Sequence, residues 1–349
     1  MKSATLMQVA ERAGVSTATV ARVLKAQGYV SDDARARVEA AVKAIGYRPN
    51  AMARGLRQRR SFTIGHMLDA IIVNPFFVNV AHWAEEEALD HGYKTFLFNH
   101  NGLAERERIG IERFIERRVD AVLFTNAVST ENVRLLKAAG IPALQLERSR
   151  TPAAPAIRVD NTVGALQAMA HLAGLGHRRI AFIGGDPELI GRGETAGPTV
   201  EDDRLAAYGA GLAAAGLPFD PALLRLGKYY SLSESGSGSE GYHHTRALLA
   251  LDDRPTAIFA TCDILAAGAL QAIYEAGLRV PDDISVIGFD DTLAANLTPQ
   301  LTTVAQPMEQ LGRIGFRAVL AAIETGAWPE QPLLPSHLVL RRSTGPAPL

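Results

Sequence analysis

The stretch LMQVAERAGVSTATVARVL, residues 6–24, decides the fold of the first part of this chain. Apolar residues recur at helical spacing up to Gly14, which provides a tight turn, and Ser16 can then cap a second helix. A small residue at Ala10 lets the two helices cross closely, and the branched Val20 packs the second helix onto the first. This spacing predicts a helix-turn-helix.

A third helix and a basic connector follow this motif. Ser31 can cap the third helix and Gly46 can end it, so we expect residues 1–46 to form a helix-turn-helix DNA-binding domain. Residues 47–60, YRPNAMARGLRQRR, contain Gly55 and are too few for a helix that is stable alone in water. We interpret this segment as a hinge helix or linker.

Charge is distributed unevenly along the chain. Residues 1–60 contain 12 Lys and Arg against 4 Asp and Glu, whereas the remaining residues contain 24 against 33. A basic head on an acidic body indicates that the head meets a polyanion such as DNA. A basic tail that is merely solvated is the alternative that charge alone leaves open.

From residue 61 onward, short apolar strands alternate with amphipathic helices. This alternation predicts an α/β core with parallel sheets, and its length of about 290 residues favours two lobes. The predicted strands are FTIGHML, KTFLFN, DAVLFT, IPALQL, RIAFIGG, TAIFA and ISVIGF. We assign the effector-binding and dimerisation core to residues 61–349, with one lobe at about 61–160 and 292–322 and the other at about 161–291 and 323–345.

Composition excludes several classes of protein. Cys262 is the only cysteine, which excludes a disulfide framework and a cysteine-based metal site and is typical of a reducing cytoplasm. The first residues lack an apolar run of signal-peptide length, and about 18 uninterrupted apolar residues occur nowhere in the chain. We therefore expect a cytoplasmic protein that has no contact with the membrane and needs no metal or cofactor.

The second helix supplies the side chains expected to contact DNA. Arg22 can pair bidentately with guanine, and Thr17 and Ala18 can contact a thymine methyl group. Ser16 and Thr19 carry hydroxyl groups suited to phosphates. A helical hairpin without DNA contacts is the alternative, but it leaves the basic head and hinge unexplained.

The same motifs resemble a known family. TLMQVAERAGVSTATVARVL (5–24), followed by GYRPNAMARGLR (46–57), is similar to the LacI/GalR family of bacterial repressors. The resemblance spans essentially the whole chain and continues in the core as NPFF (74–77), RVDN (158–161), LGHRRIAFIGG (175–185), DDRLAAYGAGL (202–212), RPTAIFATCDILAAGAL (254–270), VPDDISVIGFDD (280–291) and LTPQLTTVAQP (297–307).

This resemblance implies a core like the periplasmic sugar-binding proteins, whose two lobes close on a small effector. It also implies a homodimer on a pseudo-palindromic DNA operator. In the family a hinge leucine, which is Leu56 here, wedges into the minor groove beside Asn50 and Ala53. The complete set of predicted DNA-binding residues is Thr5, Ser16, Thr17, Ala18, Thr19, Arg22, Asn50, Ala53 and Leu56.

Candidate effector-binding residues follow the predicted strands. Asp263 and Asp290 each come shortly after a strand, and Arg204 begins a helix after a long loop; by resemblance, these three match effector-binding positions. Carboxylates and a guanidinium can hold the vicinal hydroxyls of a sugar, and aromatic side chains can stack on its ring. The complete set of effector candidates is Phe76, Glu147, Arg204, Tyr229, Tyr230, Asp263 and Asp290.

Some of these residues also have a purely structural interpretation. Asp263 can cap the helix that follows it, Arg204 can form a surface salt bridge, and Phe76 can belong to the core. Two long loops, 186–203 and 231–241, exceed the usual family length, and their role stays open.

The chain is therefore expected to be a DNA-binding transcriptional regulator, in the favoured form a repressor, controlled by a small sugar-like effector. A purine or another non-sugar metabolite is the alternative effector. A free sugar-binding protein would need a signal peptide and no basic head. An enzyme is not expected, because SESGSGSEG (233–241) misses the register of a nucleophile elbow and GRGETAG (191–197) follows no strand.

Overall fold

A computed structural model describes residues 4–25, 28–47, 60–69, 74–190, 198–233 and 236–348. The chain divides into two compact units, residues 1–61 and 62–349. Most of the predicted hinge, with Asn50, Ala53 and Leu56, lies outside the described residues. Within the described part of the chain, no helix combines the length and the apolar character needed to cross a membrane.

The first unit contains the predicted three-helix arrangement, with α1 at Leu6–Ala13, α2 at Thr17–Lys25 and α3 at Asp32–Ile45. Gly14 ends α1 in the left-handed conformation at φ 62°, which glycine adopts without steric cost. Ser16 caps α2, because its hydroxyl accepts a hydrogen bond from the Thr19 amide at 3.1 Å. Fully buried valines from the three helices form a shared core, with Val9, Val20 and Val38 at its centre.

The second unit contains two six-stranded sheets with helices on both faces, as the alternation of strands and helices predicts. Its helices are α4 Pro75–Asp90, α5 Ala104–Glu116, α6 Thr130–Ala138, α7 Asn161–Gly174, α8 Pro187–Ile190, α9 Val200–Ala214, α10 Glu240–Leu249, α11 Asp263–Glu275 and α12 Met308–Thr325. Its strands are β1 Thr63–Leu68, β2 Lys94–Asn99, β3 Ala121–Phe124, β4 Ala143–Glu147, β5 Ala156–Asp160, β6 Ile180–Gly185, β7 Leu224–Gly227, β8 Tyr230–Ser233, β9 Gly236–Ser239, β10 Ala257–Ala260, β11 Ser285–Asp290, β12 Thr302–Ala305, β13 Leu333–Pro335 and β14 His337–Val339.

The first lobe is built on the sheet with strand order β13-β5-β4-β3-β1-β2, in which every pair is parallel. Helices α4 and α12 pack together on one face of this sheet, and α5 and α6 pack on the other. A buried apolar cluster fills each of these two interfaces. The parallel arrangement brings the carboxyl ends of the strands to one edge of the lobe.

The second lobe is built on the sheet with strand order β14-β12-β11-β10-β6-β7, which is parallel except for the terminal strand β14. Helices α7 and α9 pack together on one face, and α10 and α11 pack together on the other. Each interface again has its own apolar cluster. Strands β8 and β9 form a separate antiparallel hairpin.

The predicted bounds of the lobes are wrong near the end of the chain. Residues 302–305 form β12 in the sheet of the second lobe, although we assigned them to the first. Residues 333–335 form β13 in the sheet of the first lobe, although we assigned them to the second. Such short strands carry no pattern that identifies their sheet, because pairing partners far away in sequence decide their position. The chain passes between the lobes at residues 160–161, 305–308 and 335–337.

Candidate functional site

A cavity of about 340 Å³ lies between the two lobes, where the carboxyl ends of both sheets face each other. Its volume is within the range of ligand pockets in proteins. Residues that immediately follow strands provide much of its wall, as expected for open α/β sheets. The lining residues are Asp69, Asn74, Phe76, Phe77, Asn101, Gly102, Asn126, Val128, Glu147, Arg148, Arg150, Leu189, Arg204, Lys228, Tyr229, Tyr230, Cys262, Asp290 and Gln306.

The cavity brings together most of the predicted effector residues. The six that line it are Phe76, Glu147, Arg204, Tyr229, Tyr230 and Asp290. Phe76 is also a core residue, because it is buried in the apolar cluster of the first lobe and its ring meets Phe77 edge-on at 5.7 Å between centroids. Tyr229 packs against the core of the second lobe and Tyr230 against the core of the first. The two adjacent tyrosines therefore attach to opposite sides of the cleft.

Asp263 is not in the cavity wall, and this effector assignment is wrong. Its buried carboxylate accepts hydrogen bonds from the amides of Thr292 and Leu293 at 2.7 and 3.1 Å, and from the hydroxyl of Thr303 at 2.6 Å. These bonds attach the start of α11 to the loop after β11 and to β12. Asp263 is the first residue of α11 rather than its cap. It therefore has a structural role, different from the capping role considered above.

The backbone is strained at both acidic residues that end a strand beside the cavity. Glu147, the last residue of β4, has φ 69°, and Asp290, the last residue of β11, has φ 107°. Positive φ is uncommon for residues with a side chain, and such strain concentrates at binding and catalytic sites. At these two positions it accompanies side chains that line the cavity.

The Asp290 carboxyl group is buried among polar and ionisable side chains, which include Gln306, Arg204 and Asp263. Burial raises its pKa to about 8, although Arg204 acts in the opposite direction. The side-chain amide of Gln306 donates a hydrogen bond to Oδ1 of Asp290 at 2.6 Å. Burial thus favours the protonated form of this group, which can both donate and accept hydrogen bonds.

Arg148 and Glu201 form an ion pair across the cleft that the sequence analysis did not identify. Arg148 follows β4 of the first lobe and Glu201 lies in the first turn of α9 of the second, with 2.7 Å between Nη1 and Oε1. Arg148 Nε also lies 2.9 Å from Oε2 of Glu147. Burial alone would raise the pKa of Glu201, but Arg148 and then Arg204 lower it to about 2. The hydroxyl of Tyr229 donates a further hydrogen bond to Glu201 at 3.0 Å.

Arg204 is buried rather than part of a surface salt bridge. Its Nε and Nη2 donate to Oδ1 of Asn161 at 3.0 and 2.8 Å, and its Nη1 donates to the carbonyl of Thr261 at 2.8 Å. Nη2 also lies 3.5 Å from Oε1 of Glu147, and the guanidinium stacks 3.9 Å from the centre of the Phe289 ring. Most of its donors therefore contact the protein.

Other polar residues in the cavity wall were also not predicted from the sequence. Asp69 and Asn126 follow β1 and β3, and Gln306 follows β12. Asn126 donates a hydrogen bond to Asp69 at 2.9 Å. A polar residue directly after an apolar strand was the available signal for Asp69, the same signal that identified Asp290. For Glu201 the signal was its spacing of three residues from Arg204 on one helix.

The predicted DNA-reading side chains occupy one exposed surface of the first unit. Thr17, Ala18 and Arg22 on α2 are exposed, whereas Val20 and Val23 on the same helix are buried. Thr5 caps α1, with its hydroxyl accepting from the Gln8 amide at 3.3 Å, and it remains exposed. The predicted phosphate contacts, Ser16 and Thr19, hydrogen-bond each other through their hydroxyls at 2.9 Å.

Family comparisons match both units. Residues 5–50 match the family described as bacterial regulatory proteins, lacI family, and residues 169–344 match a periplasmic binding protein-like domain. The ribose operon repressor of Escherichia coli (strain K12) is 31% identical over 345 residues, which cover 98% of this chain and 99% of the repressor.

Solved structures of regulators share this architecture. A lac repressor dimer bound to operator and the anti-inducer ONPF has a TM-score of 0.78 and 29% identity, covering 99% of this chain and 100% of the repressor chain. The transcriptional regulator CelR in complex with cellobiose has a TM-score of 0.69 and 28% identity, covering 97% of this chain and 99% of the other.

Proposed function

The chain belongs to the lacI family of bacterial regulatory proteins and is a DNA-binding transcriptional regulator, and we propose that it senses a sugar or sugar derivative in the cavity between its lobes. The observation that carries this proposal is the cavity wall itself, where carboxyl, amide and guanidinium groups from both lobes surround a space of about 340 Å³. Such groups hold sugar hydroxyls in many orientations. CelR, a structural neighbour with bound cellobiose, supports the same ligand class.

The regulator acts as a repressor on a pseudo-palindromic operator in the cytoplasm, without enzymatic activity. The position of the cavity supports ligand control, since a ligand held by both lobes favours the lobe orientation in which it makes its best contacts. The sensing residues are those that line the cavity, with Asp290 as the principal one. All the predicted DNA contacts stay predictions, those of Thr17, Ala18 and Arg22 on α2 as well as those of the hinge residues Asn50, Ala53 and Leu56.

The thermal stability of the full chain in the presence of individual sugars tests the sensing proposal. A ligand that binds only the folded state raises the melting temperature. We expect at least one sugar to do so and to change the affinity of the protein for its operator. A purine base such as hypoxanthine or guanine that produces both effects, with no sugar doing so, would favour the alternative effector.

Arg22→Ala is expected to weaken operator binding by about 1–3 kcal/mol and to relax the preference at one base pair, because a bidentate contact to guanine is lost. The operator is obtained by selection from a random duplex library, and affinity is measured by fluorescence anisotropy at fixed salt. Arg37→Ala is the control, because it removes the same charge from α3, where Arg37 pairs with Asp33 at 3.2 Å. Equal losses in both variants on every DNA sequence would contradict a reading role for Arg22.

We propose that the protein is a homodimer that associates through the first lobe around the edge strand β2. Leu97 on β2 is 45% exposed, and the flanking helices α4 and α5 expose Val78 and Ile109, at 40% and 39%. Both helices contact β2. An apolar edge strand without a protein neighbour is a surface that proteins ordinarily cover.

Leu97→Glu is expected to shift the protein from dimer to monomer, because a carboxylate in an apolar interface loses its hydration. Light scattering coupled to size-exclusion chromatography measures the mass of the variant. Leu340→Glu is the control, since Leu340 is 60% exposed and lies beyond β14 in the other lobe. A Leu97→Glu protein that keeps the mass of the parent would place the interface elsewhere.

A further inference from the structure

The charged groups around the cavity balance each other. Two guanidinium groups, Arg148 and Arg204, are each in contact with carboxylates: Arg148 Nη1 is 2.7 Å from Glu201 and Arg148 Nε is 2.9 Å from Glu147, while Arg204 Nη2 is 3.5 Å from Glu147. All four side chains are at least mostly buried, so solvent screens these contacts only weakly. Neither guanidinium is an uncompensated positive charge awaiting a ligand.

The third guanidinium in the wall lies in the field of the same carboxylates. Burial lowers the pKa of Arg150, and Arg148 lowers it further, whereas Glu201, Asp69 and Glu147 raise it. The three guanidinium groups of the wall therefore face three carboxylates, those of Asp69 and Glu147 in the wall itself and that of Glu201, which pairs with Arg148 from outside the lining. Lys228 adds a positive charge, but it is exposed to solvent. Asp290 is neutral when protonated and negative when ionised, so it does not provide a positive charge for an anionic ligand.

Hydrogen-bonding groups in the wall fit a ligand that both donates and accepts, because acceptors without a partner and guanidinium donors line the same cavity. Oδ1 of Asp69, Oδ1 of Asn126 and Oε1 of Gln306 are buried acceptors that have no hydrogen-bond partner among the described residues. All three residues line the cavity. Buried polar atoms in native proteins are nearly always paired, so the missing partners are expected to come from a bound molecule or water. Hydroxyl groups supply such donors, whereas a carboxylate or a phosphate dianion supplies further acceptors.

We infer that the cleft selects a neutral polyhydroxy ligand, and that the ion pairs of Arg148 with Glu147 and Glu201 exclude sugar acids and sugar phosphates. The inference rests on the proposed sugar-sensing function and specifies its substrate class. An anionic ligand at Arg148 must displace one of its two carboxylates or lie next to them, and either arrangement leaves a buried negative charge without full compensation. A neutral sugar leaves the ion pairs intact and uses the unpaired acceptors.

The test compares, for each of three sugars, the neutral form with two anionic forms that have the same skeleton. Isothermal titration calorimetry on the full chain uses D-ribose, D-glucose and D-galactose, each beside its acid and its phosphate ester. We expect at least one neutral sugar to bind, with its acid and phosphate at least about tenfold weaker. An acid or phosphate that binds as tightly as its neutral parent, or tighter, overturns the inference but leaves sugar sensing standing. A panel in which no sugar binds in any charge state counts against both proposals, as does binding of hypoxanthine or guanine alone.

Glu201→Gln tests the ion pair directly. It keeps the shape of the side chain and removes one of the two carboxylates that face Arg148, so the discrimination against the acid should shrink by about tenfold. Asp220→Asn is the control, because Asp220 pairs with Arg179 at 3.1 Å outside the cavity wall and should leave the discrimination unchanged. Equal discrimination between the sugar and its acid in the parent and in Glu201→Gln would show that the ion pair does not cause this discrimination. If the variant fails to fold, the comparison of charge states on the parent protein still decides the ligand class.

Discussion

Asp290→Asn is expected to abolish the response of the protein to its effector and to stabilise the free protein in neutral and alkaline solution. Asp290 is buried in the cavity wall, on a strained backbone, with Gln306 on one of its oxygens. When ligand hydroxyls bind the ionised carboxylate, removing that charged hydrogen bond costs about 2–5 kcal/mol of binding free energy. Asn keeps the shape of Asp but cannot become the anionic acceptor for ligand hydroxyls.

The pH dependence of stability follows from the position of this group. An aspartate in an unfolded chain titrates at about 3.9, whereas burial raises the pKa of Asp290 in the folded protein to about 8. Between these values the folded protein holds a proton that the unfolded chain has lost. Its contribution to stability is therefore complete below the lower value, falls as the pH rises and levels off above about 8. Asn does not ionise, so the variant should gain melting temperature over the parent progressively from pH 5 to 8.

The affinity for the ligand is expected to depend on pH in the opposite direction to the folding stability. If hydroxyls of the ligand favour the ionised carboxylate, binding releases a proton below pH 8, and the affinity of the parent rises with pH up to that point. Calorimetry with the tightest-binding sugar of the panel, in buffers of different ionisation enthalpy, measures that proton. Asp253→Asn, an exposed change near Arg179, is the control. A variant Asp290→Asn that binds this sugar as the parent does, or that melts with the pH profile of the parent, would contradict the role given to Asp290.

Arg204→Met is expected to destabilise the second unit by about 3–5 kcal/mol, because it removes a buried charge and leaves its partners unpaired. Oδ1 of Asn161 and the carbonyl of Thr261 lose their donors, and Glu147 loses one of its two guanidinium neighbours. Met fills the space of the aliphatic part of the side chain, so a cavity contributes little to the loss. For a unit of this size the melting temperature should fall by on the order of 10 °C.

The matched control for this prediction is Arg179→Met. Arg179 contacts Asp220 and Asp253 at 3.1 and 3.0 Å, but its side chain is 30% exposed and that of Asp253 is 78% exposed. Solvent screens these pairs, so the change should cost no more than about 1 kcal/mol. Differential scanning calorimetry of both variants without ligand compares the two losses. Similar losses for Arg179→Met and Arg204→Met would show that burial does not set the contribution of Arg204.

The structure of the first unit could be predicted in detail because its determinants are local. Helix caps at Ser16 and Ser31, and the turn glycines Gly14 and Gly46, act within a few residues of the helix that they begin or end. The apolar residues that form its core recur at helical spacing, so the same pattern that predicts each helix also predicts its buried side.

In the second unit the sequence predicted the more apolar strands and missed the shorter or more polar ones. Strands β1, β2, β3, β4, β6, β10 and β11 coincide with predicted strands to within two residues at either end, because each contains an apolar run. Strand β5 (AIRVD), strand β7 (LRLG) and the strands near the end of the chain are shorter or more polar. Their place in a sheet depends on neighbours distant in sequence.

The candidate site shows the same division between local and distant determinants. Asp290 and Glu147 could be chosen from sequence because they directly follow predicted apolar strands, and the carboxyl end of a parallel strand faces a binding cleft. The same rule wrongly selected Asp263, which begins a helix and turns its carboxylate toward the loop after β11. Sequence position alone does not specify on which side of a sheet edge a side chain finds its donors.

By itself, the sequence determined the three-helix head, the alternation of strands and helices, and the residue types available at the carboxyl ends of the strands. Each of these depends on residues within one or two helical turns or within one strand. Only the tertiary structure decided that β12 belongs to the sheet of the second lobe and β13 to the sheet of the first. It also decided that Arg148 contacts Glu201 across the cleft at 2.7 Å. These two residues are 53 positions apart, and no local pattern links them. The charge left for a ligand depends on such long-range pairs, because an ion pair is counted only when both partners are in place.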